Sequence, residues 1–184
     1  MEIRYITPFS TDSHRHGYPN IGGEYNQVIS ELPDDCWIVL RDGDTMFLTS
    51  DWGRQIRQII EANPDYDLIG CMTNRVGVKE QLWYGEFTEG DISKHIFMAY
   101  TAWNDHNVTV KPTNLVAGLC MMFHKSVWAK VGGFPAHDII FDRVFCSKVL
   151  KFGGKIGIAQ GLYIFHLYRW GQNNPQISIN HLIK

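Results

Sequence analysis

The chain has 184 residues, 45% of them hydrophobic and 20% charged, with a net charge of −2. This suits one ordinary globular domain with one core, and the small charge gives no global field toward nucleic acid or an anionic membrane. No apolar stretch has the length of a bilayer span, and the first residues lack the apolar core of a secretion signal, so a cytoplasmic protein is expected.

In chain order, residues 3–8 read as a short strand stopped by Pro8. Residues 9–20 are polar and turn-rich and read as a loop. Within it, His14 and His16 have no nearby Cys or His to complete a zinc set. Tyr25, Val28, Ile29 and Leu32 recur at helical spacing and predict a helix over 21–32. Residues 36–41 read as a buried strand. Ser50-Asp51 is a helix-start signal, and Trp52, Ile56, Ile59 and Ile60 make one apolar face up to Asn63-Pro64. Residues 66–72 read as a further buried strand. The stretch 73–113 is irregular, with aromatics scattered among charged and turn residues.

Val116 to Phe123 is a strongly apolar strand. Ser126 to Val131 reads as a short helix closed by Gly132-Gly133, and 138–152 as another closed by Gly153-Gly154. Residues 155–159 and 162–168 read as closing strands, and 171–184 as a flexible tail. The strand–helix alternation predicts an α/β sandwich with a largely parallel sheet. Cys36, Cys71, Cys120 and Cys146 stand in apolar contexts without a Cys-x-x-Cys pair and read as buried free thiols.

The stretch that carries chemistry is Trp37-Ile38-Val39-Leu40-Arg41-Asp42-Gly43-Asp44. An apolar strand ends in two carboxylates that can face the same way, separated by a glycine that lets the backbone bend and a ligand approach. Two such carboxylates repel each other and are costly to desolvate. A bound Mg²⁺ or Mn²⁺ with substrate phosphates would offset that cost. Asp-Gly-Asp is also ordinary turn chemistry, so the triplet alone leaves both readings open. Thr73-Asn74-Arg75 follows a buried strand at the edge where open α/β sheets bind ligands. Arg75 there suits either a phosphate or carboxylate contact or a solvated turn.

Several segments, in order, resemble family 2 glycosyltransferases of the GT-A fold. Ile6-Thr7-Pro8-Phe9 is similar to their first strand and base-binding loop, and Gly22-Gly23-Glu24-Tyr25-Asn26 to their glycine-to-asparagine segment. Asp42-Gly43-Asp44 resembles their metal-binding Asp-x-Asp. Gly118 to Phe123, with Val131-Gly132-Gly133-Phe134, resembles the strand and turn of the acceptor half. Phe141-Asp142, then Lys148 and Gly153-Gly154-Lys155-Ile156, resembles the segment carrying their catalytic base. Phe165-His166 stands where many members keep a late metal-binding histidine. The chain departs from the pattern in three places. Only about a dozen residues separate the first loop from the asparagine segment, leaving Asp12 as a candidate acidic contact to the base. The usual acidic pair is Phe141-Asp142, and the usual arginine–tryptophan segment is reduced to Arg169-Trp170.

The resemblance implies a single GT-A-like (Rossmann-like) domain with a mainly parallel central sheet flanked by helices. Its donor half would be 1–72, its acceptor half 73–170. It implies Mn²⁺ or Mg²⁺ held by Asp44 and His166, with Asp42 on the ion or the ribose. The nucleotide-diphosphate sugar would meet Thr7, Pro8, Phe9, Asn26, Asp42 and Arg169, with Trp170 helping to close a lid. Asp142 would take the proton of an acceptor hydroxyl, His137 being the second candidate. The acceptor (saccharide, lipid carrier, protein or modified base) is open. A binding module without turnover and a nucleotidyltransferase are the competing readings. The latter would normally open with a glycine-rich loop, which Thr7-Pro8-Phe9-Ser10 lacks.

Overall fold

The computed structural model describes residues 1–7, 20–88 and 91–167. Its strands are β1 (Ile3–Ile6), β2 (Trp37–Arg41), β3 (Thr45–Phe47), β4 (Leu68–Thr73), β5 (Val110–Thr113), β6 (Cys120–His124) and β7 (Ile156–His166). Its helices are α1 (Ile21–Ser30), α2 (Trp52–Ala62), α3 (Ile92–His106), α4 (Lys125–Val131) and α5 (Phe141–Lys151). All seven strands form one sheet in the order β1-β2-β6-β4-β7-β3, with β5 also on β7. The strands β1, β2, β4 and β7 point one way, so the expected α/β class with a mainly parallel sheet holds. Its ladders are nevertheless mixed, because β6 lies antiparallel between β2 and β4, while β3 and β5 lie antiparallel to β7.

The alternation of side chains along β2 explains the two cores. Ile38 and Leu40 face one layer and Val39 the other, all three fully buried. On the first face they meet Tyr25 and Ile29 of α1, Met98 and Ala102 of α3, and Phe145 and Val149 of α5. On the second they meet Ile56, Ile59 and Ile60 of α2. Each such buried aliphatic contributes roughly 1.5–3 kcal/mol relative to exposure, which far outweighs any single surface ion pair.

Three elements were not legible. The helix α3 begins at Asp91, whose carboxylate accepts from Lys94 N at 3.0 Å, inside the stretch read as irregular. The short strands β3 and β5 exist because β7 offers both of them backbone partners. The two closing strands are one strand, broken in register against β4 between Ala159 and Tyr163. The last helix starts at Phe141 rather than 138. The four cysteines are buried and free, as expected. Among the described residues no helix is long and apolar enough to cross a membrane.

Candidate active site

The Asp-Gly-Asp triplet is a turn, and the turn brings the two carboxylates together, so the turn reading and the metal reading are compatible. Asp42 N donates to Leu119 O at 3.0 Å, extending the β2 ladder by one rung. The Asp42 carbonyl then accepts from Thr45 Oγ1 at 2.7 Å and Thr45 N at 3.4 Å, which closes the turn. Gly43 does not sit in the left-handed region. Among the described residues a Cβ there would meet only Thr7 Cγ2, at 3.9 Å. The backbone bend therefore does not require glycine, while the space above it is open.

The strand β3 is what carries the pair to its third member. Thr45 pairs with His166 across the β3–β7 ladder, and Leu167 N donates to Asp44 O at 3.0 Å. Donor atoms of Asp42, Asp44 and His166 all lie within 4.8 Å of one another. His166 Nε2 is 3.3 Å from Asp44 Oδ1. Its Nδ1 is 2.7 Å from the carbonyl of Arg75. A carbonyl can only accept, so Nδ1 carries the proton and Nε2 is turned to the carboxylates. There it meets Asp44 either by taking a second proton or by sharing a cation with it. Two carboxylate oxygens and an imidazole nitrogen form a mixed donor set that fits Mn²⁺ well and Mg²⁺ less well. The side-chain amide of Asn74 fixes the strand end, donating to His166 O at 3.0 Å and accepting from His166 N at 2.8 Å.

Burial pushes Asp42 up to about 6; His166 pulls it down, Asp44 pushes it up and the Tyr25 hydroxyl lowers it. That hydroxyl donates to Asp42 Oδ1 at 3.1 Å. Tyr25 is itself raised well above the usual phenol range, by burial first and then by Asp42, with Asp142 and Asp44 adding. Three carboxylates thus act on one phenol. Asp142 stands in the first turn of α5. Its Oδ2 accepts from Gly118 N at 3.0 Å and its Oδ1 from Arg143 N at 2.7 Å. Burial raises it and these two backbone bonds lower it. The close approach of α5 to the turn before β6 requires Gly118, because a Cβ there would lie 2.5 Å from the Phe141 ring.

Other expected residues are placed differently. Asn26 bonds within the protein. Its Nδ2 donates to Phe134 O at 2.8 Å, and its Oδ1 accepts from Phe134 N at 2.8 Å and Trp128 Nε1 at 2.9 Å. These bonds make it a clasp on the turn after α4 and use both lone pairs of its oxygen. Arg75 is not a solvated turn residue. It is 1% exposed, with its guanidinium 4.8 Å above the Phe87 ring. His137 has φ 56° and donates its backbone N–H to Asn20 Oδ1 at 2.8 Å. Thr7 reaches the Asp-Gly-Asp turn through Gly43 and lines a groove of about 340 Å³ with Tyr5, Arg41, Met46, Phe47 and Trp52. Pro8, Phe9, Asp12, Arg169, Trp170 and the tail lie outside the described residues. Tyr25 and Asn74 were missed as site residues. Tyr25 read as helix core, and Asn74 has no partner until β7 is in place.

With this geometry the chain is similar to a solved glycosyltransferase. That structure is the mannosyltransferase PcManGT from Pyrobaculum calidifontis, in complex with GDP-Man and Mn²⁺. The TM-score is 0.52 at 15% identity, over 85% of this chain. The chain spans 38% of the length of that protein, and at this identity the likeness is one of fold. No family model and no curated protein matches the chain.

Proposed function

We propose that this domain is a metal-dependent glycosyltransferase that moves a sugar from a nucleotide-diphosphate donor to a hydroxyl acceptor with inversion. The observation that carries the reading is the convergence of Asp42, Asp44 and His166 at one sheet edge, with the helix start that holds Asp142 packed on the Tyr25 ring through Phe141. The fold shared with a GDP-mannose-bound, Mn²⁺-bound enzyme supports it. Asp42, Asp44 and His166 would hold the ion, which as a Lewis acid supplies stabilisation of the charge on the leaving diphosphate. The donor half would be 1–72 and the acceptor half 73–170.

The remaining work falls to the chain. Asp142 would accept the proton of the attacking hydroxyl, worth roughly 10²–10⁴-fold. Its two backbone hydrogen bonds hold the carboxylate in one orientation. Burial raises its basicity toward the range a base needs. Thr7 beside Gly43 would flank the donor. Arg75 would serve through its carbonyl, which accepts from His166 Nδ1.

A panel of nucleotide sugars with and without Mn²⁺, read by thermal shift, tests the reading. A donor at a hundred times its Kd adds about 2.7 kcal/mol, a shift of several degrees for a domain of this size. No metal-dependent shift with any nucleotide sugar would remove it. A binding module without turnover is the second reading. It is favoured by Phe141, a buried core ring where the resemblance has an acid. Slow hydrolysis of a bound donor separates the two.

A further inference from the structure

We infer that Tyr25 is a positioning residue for the metal corner, its hydroxyl holding one oxygen of Asp42 so that the other is presented to the ion. The inference rests on the metal reading above and adds a residue that neither the Asp-Gly-Asp turn nor the late histidine contains. The phenol is 2% exposed and donates to Asp42 Oδ1 at 3.1 Å. A phenol has one proton to give. Of the three carboxylates that act on it, Asp42 receives the bond.

The ring cannot easily turn away. It stands edge-on to Phe134 at 5.6 Å and to Phe141 at 5.4 Å between centroids. The helix that carries it is fastened at both ends of this contact. Asn20 caps α1 and also accepts from His137 N, while Asn26 clasps the Phe134 backbone. Tyr25 therefore transmits the position of α1 and of the loop before α5 to one metal-binding oxygen. Asp44 is more exposed than Asp42, with 41% of its side chain accessible. The two carboxylates of the turn are thus unequal. Asp42 is held in orientation by a buried donor, and Asp44 lies on the open side against His166.

Tyr25→Phe tests the hydroxyl alone, because it keeps both ring contacts. Partners that orient metal ligands are typically worth 10–100-fold in affinity. We expect Mn²⁺ titrated calorimetrically to bind Tyr25→Phe about tenfold more weakly than the unaltered protein. The metal-free variant should still melt cooperatively. A tyrosine that only fills the core would change the melting temperature and leave the Mn²⁺ Kd within about twofold, and that result overturns the inference. If Tyr25→Phe does not fold, Phe134→Leu loosens the seat of the ring while leaving the hydroxyl and the ligands in place. Weaker Mn²⁺ binding then supports the inference, and unchanged binding overturns it. Unaltered protein that takes up no Mn²⁺, alone or with a nucleoside diphosphate, removes the metal reading and this inference together. Equal binding by unaltered and variant protein removes the inference alone.

Discussion

The Asp-Gly-Asp corner and the α5 corner hold their carboxylates by opposite means. Asp42, Asp44 and His166 come from a turn and a distant strand end, and side chains orient them: Tyr25 for Asp42, and His166 itself for Asp44. Asp142 is held by two backbone N–H groups, from Gly118 and Arg143. Side-chain supports can shift by a few tenths of an ångström as an ion enters, whereas main-chain supports cannot shift without moving an element. A ligand set benefits from the first kind and a proton acceptor that must be aimed benefits from the second.

The comparison breaks most sharply at Asp44. Asp44→Asn keeps the shape of the turn and removes the exposed negative charge opposite His166. Metal-dependent donor binding should be lost in thermal-shift titrations, while the metal-free melting temperature stays close to that of the unaltered protein. Undiminished Mn²⁺-dependent binding would show that the corner is only a turn.

Asp142→Asn comes next. An amide cannot accept a proton at neutral pH, so turnover should fall roughly 10²–10⁴-fold once the acceptor is known, with donor affinity retained. One of the two backbone donors would then face an NH₂ group, at a cost of about 1 kcal/mol. Relief of a buried charge offsets part of this. Retained turnover with full stability would return Asp142 to the role of a helix-start carboxylate.

Asn26→Ala should act on stability and not on the donor. It leaves Trp128 Nε1, Phe134 N and Phe134 O without their partner. A denaturant melt should show a loss of roughly 1–3 kcal/mol. Lost donor binding at unchanged stability would restore the ligand contact that the family resemblance implies.

The smallest effect is one of pH. Burial pushes Asp42 up to about 6, above its unfolded value. The folded state therefore binds this proton more tightly, and the ionised group costs stability at neutral pH. In metal-free protein that cost begins to fall as pH drops below about 6 and is gone only below the unfolded value. The Mn²⁺-induced rise in melting temperature should do the reverse, because protons then compete with the ion for the carboxylate. Melting curves with and without Mn²⁺ at several pH values check both signs. A Mn²⁺ effect that is flat from pH 5 to about 7.5 would remove Asp42 from the ligand set.

Much of the molecule was legible in its periodicity. Ile56, Ile59 and Ile60 gave α2 a single apolar face, and the unbroken apolar runs of β2 and β4 marked strands buried on both sides. The helix α3 was hidden because apolar residues occupy both its faces. Met98, Ala99 and Ala102 are buried, while Ile92, Ile96, Phe97 and Tyr100 are exposed, so no one-sided period emerges. Its cap, Asp91 with Lys94, was the signal available. The strand β5 carries Pro112, which an edge strand paired to β7 tolerates. At three residues, β3 is too short to carry a pattern of its own.

The sequence by itself determined the layered α/β architecture, the acidic turn after β2 and the late histidine as candidates for one site. The architecture and the acidic turn follow from local chemistry: side-chain period, turn residues and an apolar run ending in carboxylates; the histidine was a candidate through the family resemblance. Tertiary structure alone decided that His166 meets Asp44, that Asn26 is a clasp, that Arg75 is buried and that Tyr25 serves Asp42. Each of those depends on a partner far along the chain, and the antiparallel pairing of β3 with β7 is what sets His166 against the turn. Side-chain period says which face a residue takes, and only the register between distant strands says what it finds there.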